Sequence, residues 1–228
     1  MFPLGFAANE TKPWSYRHVM LVDGNDDRGI DVGLLTRTRF PIERVRSHVD
    51  DRDSNGNAIF SRDCAEYEVA VPGSDPLLLL VNHFKSKGYG GQKASNAKRL
   101  QQARRAAKIY SARRDEGWQR VAVLGDLNDT PDSKPLKPLV KQTDLRDVSE
   151  HPSFDHDGRT GTYGTGSDKI DYLLLSPALF VAVEAAGLNR KGVWRGPRVK
   201  NPWEMLDTIT SDLHQASDHA AIWADLEL

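Results

Sequence analysis

The sequence predicts a single α/β domain, and three observations support this. Short apolar segments rich in β-forming residues recur along the chain, each bounded by Gly, Pro, Asp or Ser, which is typical of sheet strands. One longer segment carries apolar residues at spacings of three and four, which indicates an amphipathic helix. The chain contains no internal repeat, low-complexity tract or convincing linker, so we interpret residues 1–228 as one unit.

The strand pattern occurs six times. The second and third strands are separated by Pro72-Gly73-Ser74-Asp75-Pro76, a run of turn-forming residues that predicts a β-hairpin. The predicted strands are Asp31 to Leu35, Ala65 to Val71, Leu77 to Val81, Val121 to Leu124, Ile170 to Leu175 and Ala220 to Leu226.

The helical pattern runs from Ala94 to Glu116, and Gly117 follows it as the expected C-terminal stop. Its apolar face is formed by Ala97, Leu100, Ala103, Ala107 and Tyr110. The predicted helix therefore packs one face against the sheet.

Composition narrows the class of protein. With 39% hydrophobic and 28% charged residues, the chain is typical of a globular protein rather than a disordered or fibrous one. No apolar run reaches the roughly 18 residues that a membrane span requires. The single Cys64 cannot form an internal disulfide, and Met1 to Gly5 does not form a signal peptide. The compartment stays open: cytoplasmic, or secreted if the true N-terminus is missing.

Charge is unevenly distributed although the net charge is only −1. The stretch from Lys85 to Arg120 contains eleven Lys or Arg and two acids, whereas Trp203 to Leu228 contains six acids and no Lys or Arg. The basic stretch is interpreted either as a solvated helix face or as a surface that meets phosphates.

The strongest chemical motif is Gly125-Asp126-Leu127-Asn128, which directly follows the apolar strand at Val121. Residues two apart on an extended chain project to the same side, so Asp126 and Asn128 are expected to act together. A carboxylate suits Mg²⁺, and an amide orients a water or a phosphate oxygen. Asp and Asn after a strand are also ordinary turn residues.

Two further motifs place acids beside a histidine. Ser217-Asp218-His219 precedes the last strand, and an imidazole there is a candidate general acid or base. Asp171 lies at the mouth of an apolar strand, where a carboxylate needs a partner to be tolerated. His219 is the expected partner of Asp171.

A fourth motif delivers a histidine at the end of another apolar strand. Leu77 to Val81 runs into Asn82-His83-Phe84-Lys85-Ser86, followed by Lys87 and a glycine-rich loop. A lone histidine is more often structural, but here four strand ends carry complementary polar groups.

In this order, the four motifs resemble those of the endonuclease/exonuclease/phosphatase superfamily, over about residues 20 to 228. The resemblance implies a four-layer αββα sandwich of two mainly antiparallel sheets, with the site at one sheet edge. It implies a metal-dependent phosphodiester hydrolase that uses Mg²⁺ or Mn²⁺, with Ca²⁺ as an alternative. The strand bearing His83 resembles the deoxyribonuclease-like and sphingomyelinase-like branches.

The resemblance also implies the roles of individual residues. The implied catalytic set is His83, Asp126, Asn128, Asp171 and His219. Asp171 is implied to hold His219 in its productive tautomer, and Asp31 is the expected partner of His83.

Metal and substrate ligands are implied in the same way. The implied metal ligands are Asp126, Asn128 and Asp218, and the implied substrate-binding residues are Asn82, Lys85 and Lys169.

One part of the family pattern has no counterpart here. Family members begin with a strand bearing Asn and a strand ending in Gln-Glu, whose Glu binds metal, and Glu10 is a poor substitute because it follows no apolar strand. The chain is therefore expected to lack the first strands. A shortened gene, a fragment completed by another chain, and a protein that works with fewer ligands explain this, in that order of preference. Missing strands would expose sheet edges, which predicts a homodimer.

The substrate is the least determined property. The basic stretch favours a nuclease; a small or lipid-headgroup phosphoester and a catalytically impaired phosphate- or partner-binding fragment are the alternatives. Arg44 to Ser61 and Leu188 to Leu213 resemble variable insertions, whose Trp194 and Trp203 serve either as core or as a substrate platform.

Overall fold

The computed structural model describes residues 16–88, 90–159, 161–164, 166, 168–196 and 203–228. Its strands are β1 (Tyr16–Val22), β2 (Val32–Arg37), β3 (Ile42–Arg46), β4 (Cys64–Val69), β5 (Leu77–His83), β6 (Val121–Asp126), β7 (Arg146–Asp147), β8 (Phe154–Asp155), β9 (Asp171–Leu175), β10 (Val183–Asn189) and β11 (Ala221–Leu226). Its α-helices are α1 (Gln92–Asp115), α2 (Lys137–Val140) and α3 (Pro177–Val181). Short 3₁₀ helices cover Val148–Glu150 and Asp212–His214.

The strands form one large sheet and two small ones. The large sheet has the order β3-β4-β5-β6-β9-β7, and β5 and β6 are parallel while the other neighbours are antiparallel. The small sheets are β1-β2 and β11-β10-β8. This layered arrangement of mixed sheets and helices is the fold class that the sequence predicts.

The central strands β5, β6 and β9 are apolar on both faces because both faces are covered. One face packs on α1 through Leu78, Leu80, Val121, Val123 and Leu174. Side chains of the opposite parity face the small sheets and include Leu79, Val81, Leu124, Leu173 and Leu175. The strands therefore read as near-continuous apolar runs.

The two small sheets cover the same face of the large sheet. β1-β2 packs on β4 and β5 around Tyr67 and Val69. β10 and β11 pack through alternate residues, among them Ala186, Ile222 and Ala224, on the half that contains β9. The site forms at one end of the large sheet, where its strands emerge between the two small sheets.

All six predicted strands and the predicted helix are present, with boundaries shifted by up to two residues. The predicted hairpin is confirmed, because β4 and β5 pair antiparallel across the predicted turn. β1, β3, β7, β8 and β10 were not predicted. The polar pattern Ile-Glu-Arg-Val-Arg hides β3, which lies at the sheet edge, and Ala and Gly weaken the pattern of β10.

Among the described residues, β1 pairs only with β2 and exposes apolar side chains. Tyr16 is 44% exposed, Met20 38% and Leu21 59%. Such an edge can accept another strand, but the expected homodimer remains a prediction.

Gly125 sets the spacing between β5 and β6 just before the site. Its φ is 126°, and a β-carbon at this position would lie 1.9 Å from the carbonyl oxygen of Asn82. Any side chain would push apart the two strands that carry His83 and Asp126.

We therefore expect Gly125→Ala to lower the free energy of unfolding by about 2–4 kcal/mol, because backbone strain and the clash with β5 add together. Urea denaturation measures this change. Gly192→Ala is the matched control, since its φ is ordinary and the nearest atom to the added carbon is Ala216 Cβ at 3.7 Å. Equal midpoints for the two variants would contradict the prediction.

Candidate active site

Three polar side chains form a row across the end of the large sheet. The register pairs His83 with Asp126 across the parallel strands β5 and β6, and Asp126 with Asp171 across β6 and β9. All three share the parity of residues that face the small sheets, one pleat beyond the apolar layer. The sheet register therefore gathers residues 83, 126 and 171 on one face.

Asp126 and Asn128 come together through a turn rather than through strand alternation. β6 ends at Asp126, and Asn128 adopts a left-handed φ of 56°. The backbone N–H of Asn128 donates to Asp126 Oδ1 at 2.8 Å, and its Nδ2 donates to Asp126 Oδ2 at 2.8 Å and to the Phe84 carbonyl at 3.1 Å. The expected association is present, but for a different local reason.

His219 reaches the row from the segment that precedes β11. Its Nδ1 lies 2.9 Å from Asp171 Oδ2, and its ring centroid lies 5.0 Å from that of Tyr163. The hydrogen bond that His219 Nδ1 makes to Asp171 raises the pKa of His219 against the opposing effect of burial. Asp218 is exposed, with Oδ1 3.8 Å from His219 Nε2. Adjacent residues 218 and 219 thus occupy different environments.

His83 is placed on the other side of Asp126. Its Nε2 lies 3.5 Å from Asp126 Oδ2. Burial, reinforced by the positive charge of Arg62, lowers the pKa of His83 to about 4. His83 is therefore neutral at physiological pH, whereas the hydrogen bond and negative charge of Asp171 outweigh burial and favour the protonated form of His219.

The surroundings of Asp126 shift the pKa of its carboxyl group. Burial and the negative charge of Asp171 raise the pKa of Asp126 to about 6, against hydrogen bonding from Asn128. Two carboxylates held side by side and partly desolvated repel each other, and a bound cation would relieve that repulsion.

These groups fit a divalent cation. Ligand atoms of Asp126, Asp171 and His219 all lie within 4.8 Å of one another. The amide oxygen of Asn128 and the carboxylate of Asp218 line or adjoin the same cleft. Carboxylate and amide oxygens are the donors that Mg²⁺ and Mn²⁺ prefer.

Sequence reasoning missed an arginine beneath the cleft. Arg62 is 1% exposed, and its Nε lies 2.9 Å from Asp26 Oδ2 while its Nη1 donates to the Phe84 carbonyl. Arg28 also contacts Asp26 and lines the cleft. The charged pair Arg62-Asp63 stands at the start of an apolar strand, where charged groups need partners to be tolerated. The same argument that identified Asp171 could therefore have identified Arg62.

The three residues implied to bind substrate are not gathered in the cleft. Asn82 has the opposite parity to His83, is buried on the helix side, and donates to the Leu80 carbonyl. Lys169 Nζ lies 3.1 Å from Asp147 Oδ2 and donates to the Asp171 carbonyl. Their side chains are used within the fold, so we do not carry Asn82 and Lys169 further as substrate ligands.

Two other expected roles have different surroundings. The Lys85 backbone N–H donates to Gln102 Oε1, and its Nζ lies 3.5 Å from the Ser86 carbonyl, beside the cleft but not among its lining residues. Asp31 Oδ1 accepts from the Gly24 N–H, and no bond joins Asp31 to His83 in the part of the chain that the structure describes. Glu10 lies outside the described residues.

The basic stretch from Lys85 to Arg120 mainly attaches α1 to the rest of the fold. Of its cations, Lys87 lines the cleft, where it also pairs with Asp129 at 2.6 Å. Lys93, Arg104 and Lys108 lie on the exposed face of the helix. The ion pairs that attach the helix are Arg99 with Asp129 (3.1 Å), Arg105 with Asp51 (2.6 Å) and Arg113 with Glu66 (2.6 Å).

The profile of the Endonuclease/Exonuclease/phosphatase family matches residues 7–155. The chain belongs to this family. The matched span contains His83, Asp126 and Asn128, and it ends before Asp171 and His219. No significant match was found among curated protein sequences.

Solved structures share the fold at low sequence identity. An endonuclease/exonuclease/phosphatase family protein from Bacteroides thetaiotaomicron is 16% identical, with a TM-score of 0.60 over 90% of this chain and 74% of that one. A mannosyl-6-phosphatase from the same species is 17% identical, with a TM-score of 0.59 over 92% and 77%. Sphingomyelinase C from Streptomyces griseocarneus is 16% identical, with a TM-score of 0.54 over 93% and 75%.

Family membership supports an enzyme that hydrolyses phosphoesters, since the family consists of hydrolases of this kind and generally depends on divalent metals. Within the described ranges, no helix combines the length and apolar character that crossing a bilayer requires.

The pair of His219 and Asp171 yields a prediction about coupling. We expect His219→Ala to lower kcat by about 10²–10⁴-fold and Asp171→Asn to lower it less. Because Asp171 acts through His219, adding Asp171→Asn to the His219→Ala variant should change little. Steady-state hydrolysis of bis-p-nitrophenyl phosphate with Mn²⁺ measures all three.

His214→Ala is the matched control, because His214 is exposed and, within the described part of the chain, its side chain bonds only to Thr210. Fully additive losses in the double variant would show that the two residues act separately.

Proposed function

We propose that this protein is a divalent-metal-dependent phosphodiester hydrolase in which a positioned water attacks phosphorus in line. The observation that carries the proposal is the convergence of two units on one cleft: the Asp171–His219 pair at 2.9 Å and the Asp126–Asn128 pair, adjacent in the sheet register. Such a cleft combines a proton-transfer group with a cation site.

Asp126 is the central proposed metal ligand, with Asn128 and Asp218 as further ligands. When bound, the ion supplies positive charge that neutralises the phosphate and the charge developing on the leaving oxygen. Nδ2 of Asn128 is held by Asp126 and by the Phe84 carbonyl, so the amide oxygen is the atom left to meet the cation or the water.

The two histidines have different proposed tasks. His219 is anchored through Nδ1, so its Nε2 exchanges the proton with the attacking water or the leaving oxygen. Neutral His83 has a pKa of about 4 and is a poor proton source at physiological pH, so it serves as a hydrogen-bond partner of the phosphate. The buried guanidinium of Arg62 adds positive charge below this position.

The sequence favours a nuclease because the stretch from Lys85 to Arg120 is basic, but the geometry weakens this argument. The cations that line the cleft are Arg28, Arg62 and Lys87, and each is already close to a carboxylate. The other cations of the basic stretch are not among the lining residues, and most of them lie on α1. We therefore give a small or lipid-headgroup phosphodiester equal standing with a nucleic acid. Two structural neighbours are named as a mannosyl-6-phosphatase and a sphingomyelinase C.

The test compares the wild-type chain with Asp126→Ala on bis-p-nitrophenyl phosphate, p-nitrophenyl phosphate and plasmid DNA, each with Mg²⁺, Mn²⁺ or EDTA. We expect metal-dependent cleavage of the diester that Asp126→Ala reduces at least about 10²-fold, because the cation loses its central carboxylate. Steep salt dependence of plasmid cleavage would favour the nuclease, since phosphate contacts release counterions.

Asp50→Ala is the control, because the Asp50 side chain is 92% exposed and lies outside the cleft. Absence of cleavage in every metal would favour the alternative that this chain only binds phosphates or a partner. Cleavage that survives both EDTA and Asp126→Ala would overturn the proposal.

A further inference from the structure

A second cavity, of about 740 Å³, lies on the outer face of the β11-β10-β8 sheet. It shares no lining residue with the candidate active site. Its lining residues are Asp155, Asp157, Gly158, Arg159, Leu188, Asn189, Arg190, Lys191, Trp203, Glu204 and Trp223. A cavity of this size accommodates a small ligand of one or two rings.

The floor of the cavity is an exposed tryptophan laid across the sheet. Trp223 is 39% exposed, and its neighbours Ile222 and Ala224 pack inward, so its indole is on the outer face. The register aligns Trp223 with Gly187 of β10, and Gly187 with Asp155 of β8.

Gly187 makes room for the tryptophan ring. A β-carbon at Gly187 would lie 3.2 Å from Cζ2 of Trp223 and 3.2 Å from Cβ of Asp155. Any larger residue at position 187 would therefore displace the ring. The result is an indole held against the sheet with a carboxylate beside it.

The positive and negative charges around this floor are equal in number. The lining contains three acids and three bases. Arg190 Nε pairs with Asp157 at 2.7 Å, and Lys191 Nζ pairs with Glu204 at 2.8 Å. The cavity thus has no net charge to attract a phosphate, but it offers many hydrogen-bond donors and acceptors.

We propose that this cavity binds a neutral carbohydrate ring, stacked on Trp223. A pyranose presents an apolar C–H face to an indole and hydroxyl groups at its rim that both donate and accept, which matches carboxylates and cations arranged around an aromatic floor. A nucleotide would bring uncompensated negative charge to Asp155. The protein therefore has a sugar subsite in addition to its phosphoesterase cleft.

The cavity adjoins the active-site cleft through one loop. Arg190 Nη2 donates to the Gly161 carbonyl at 2.6 Å and holds Asp157 of the same loop, and Tyr163 further along lines the cleft.

The experiment uses protein labelled with ¹⁵N-tryptophan, which gives an indole signal for each of the five Trp residues. Trp223→Phe assigns the Trp223 signal. The methyl α-glycosides of mannose, glucose and galactose are titrated to about 100 mM, since stacking on one ring supports roughly millimolar dissociation constants. We expect a saturable shift of the Trp223 signal and none at Trp118, which packs against the core beneath α1.

Gly187→Val should abolish the shift by displacing the ring, while the other indole signals keep their positions and show that the fold is intact. Mannitol, which has no ring face, and AMP are the control ligands. The proposal is overturned if none of the three glycosides gives a saturable shift, if mannitol or AMP shifts Trp223 as strongly, or if Gly187→Val leaves the shift unchanged. Because the readout is binding without metal or turnover, its failure is distinct from failure of the proposed hydrolysis.

Discussion

The register of β5, β6 and β9 is the constraint on which the candidate site depends. It places His83, Asp126 and Asp171 side by side on the face between the layers, and a slip of one residue in any of these strands would turn its polar end toward α1. The apolar residues that precede each end fix the register, because both faces of these strands are buried. The same alternation of side chains along these strands therefore specifies both the core and the site. Gly125 allows β5 and β6 to approach closely at the boundary between the core and the site.

Much of this arrangement could be predicted from sequence because its signals are local. Each polar motif directly follows an apolar run, and an acid at the mouth of such a run demands a partner, which led correctly from Asp171 to His219. The association of Asp126 with Asn128 was also visible, although the left-handed turn at Asn128 replaces the extended geometry assumed for it. The same alternation, applied to Asn82, would have placed that side chain on the helix face.

What sequence could not provide are contacts between distant segments. Arg62 meets Asp26 across 36 positions of the chain, and the cations of α1 meet carboxylates on β4 and in the preceding loop. A run of positive charge therefore resembled a phosphate-binding surface although most of it stabilises the packing of a helix. The aromatic floor at Trp223 was equally hidden, because it depends on a glycine in a strand with weak β propensity.

The central claim is that one divalent cation binds at Asp126, with Asn128 and Asp218 as further ligands, in the cleft that His83 and His219 line. The most direct measurement is the NMR spectrum of the seven histidine side chains during addition of substoichiometric Mn²⁺. The account predicts that the signals of His83 and His219 broaden first, that buried His48 is spared, and that Asp126→Asn removes the selectivity. Uniform broadening, or selective broadening of histidines outside the cleft, would contradict it.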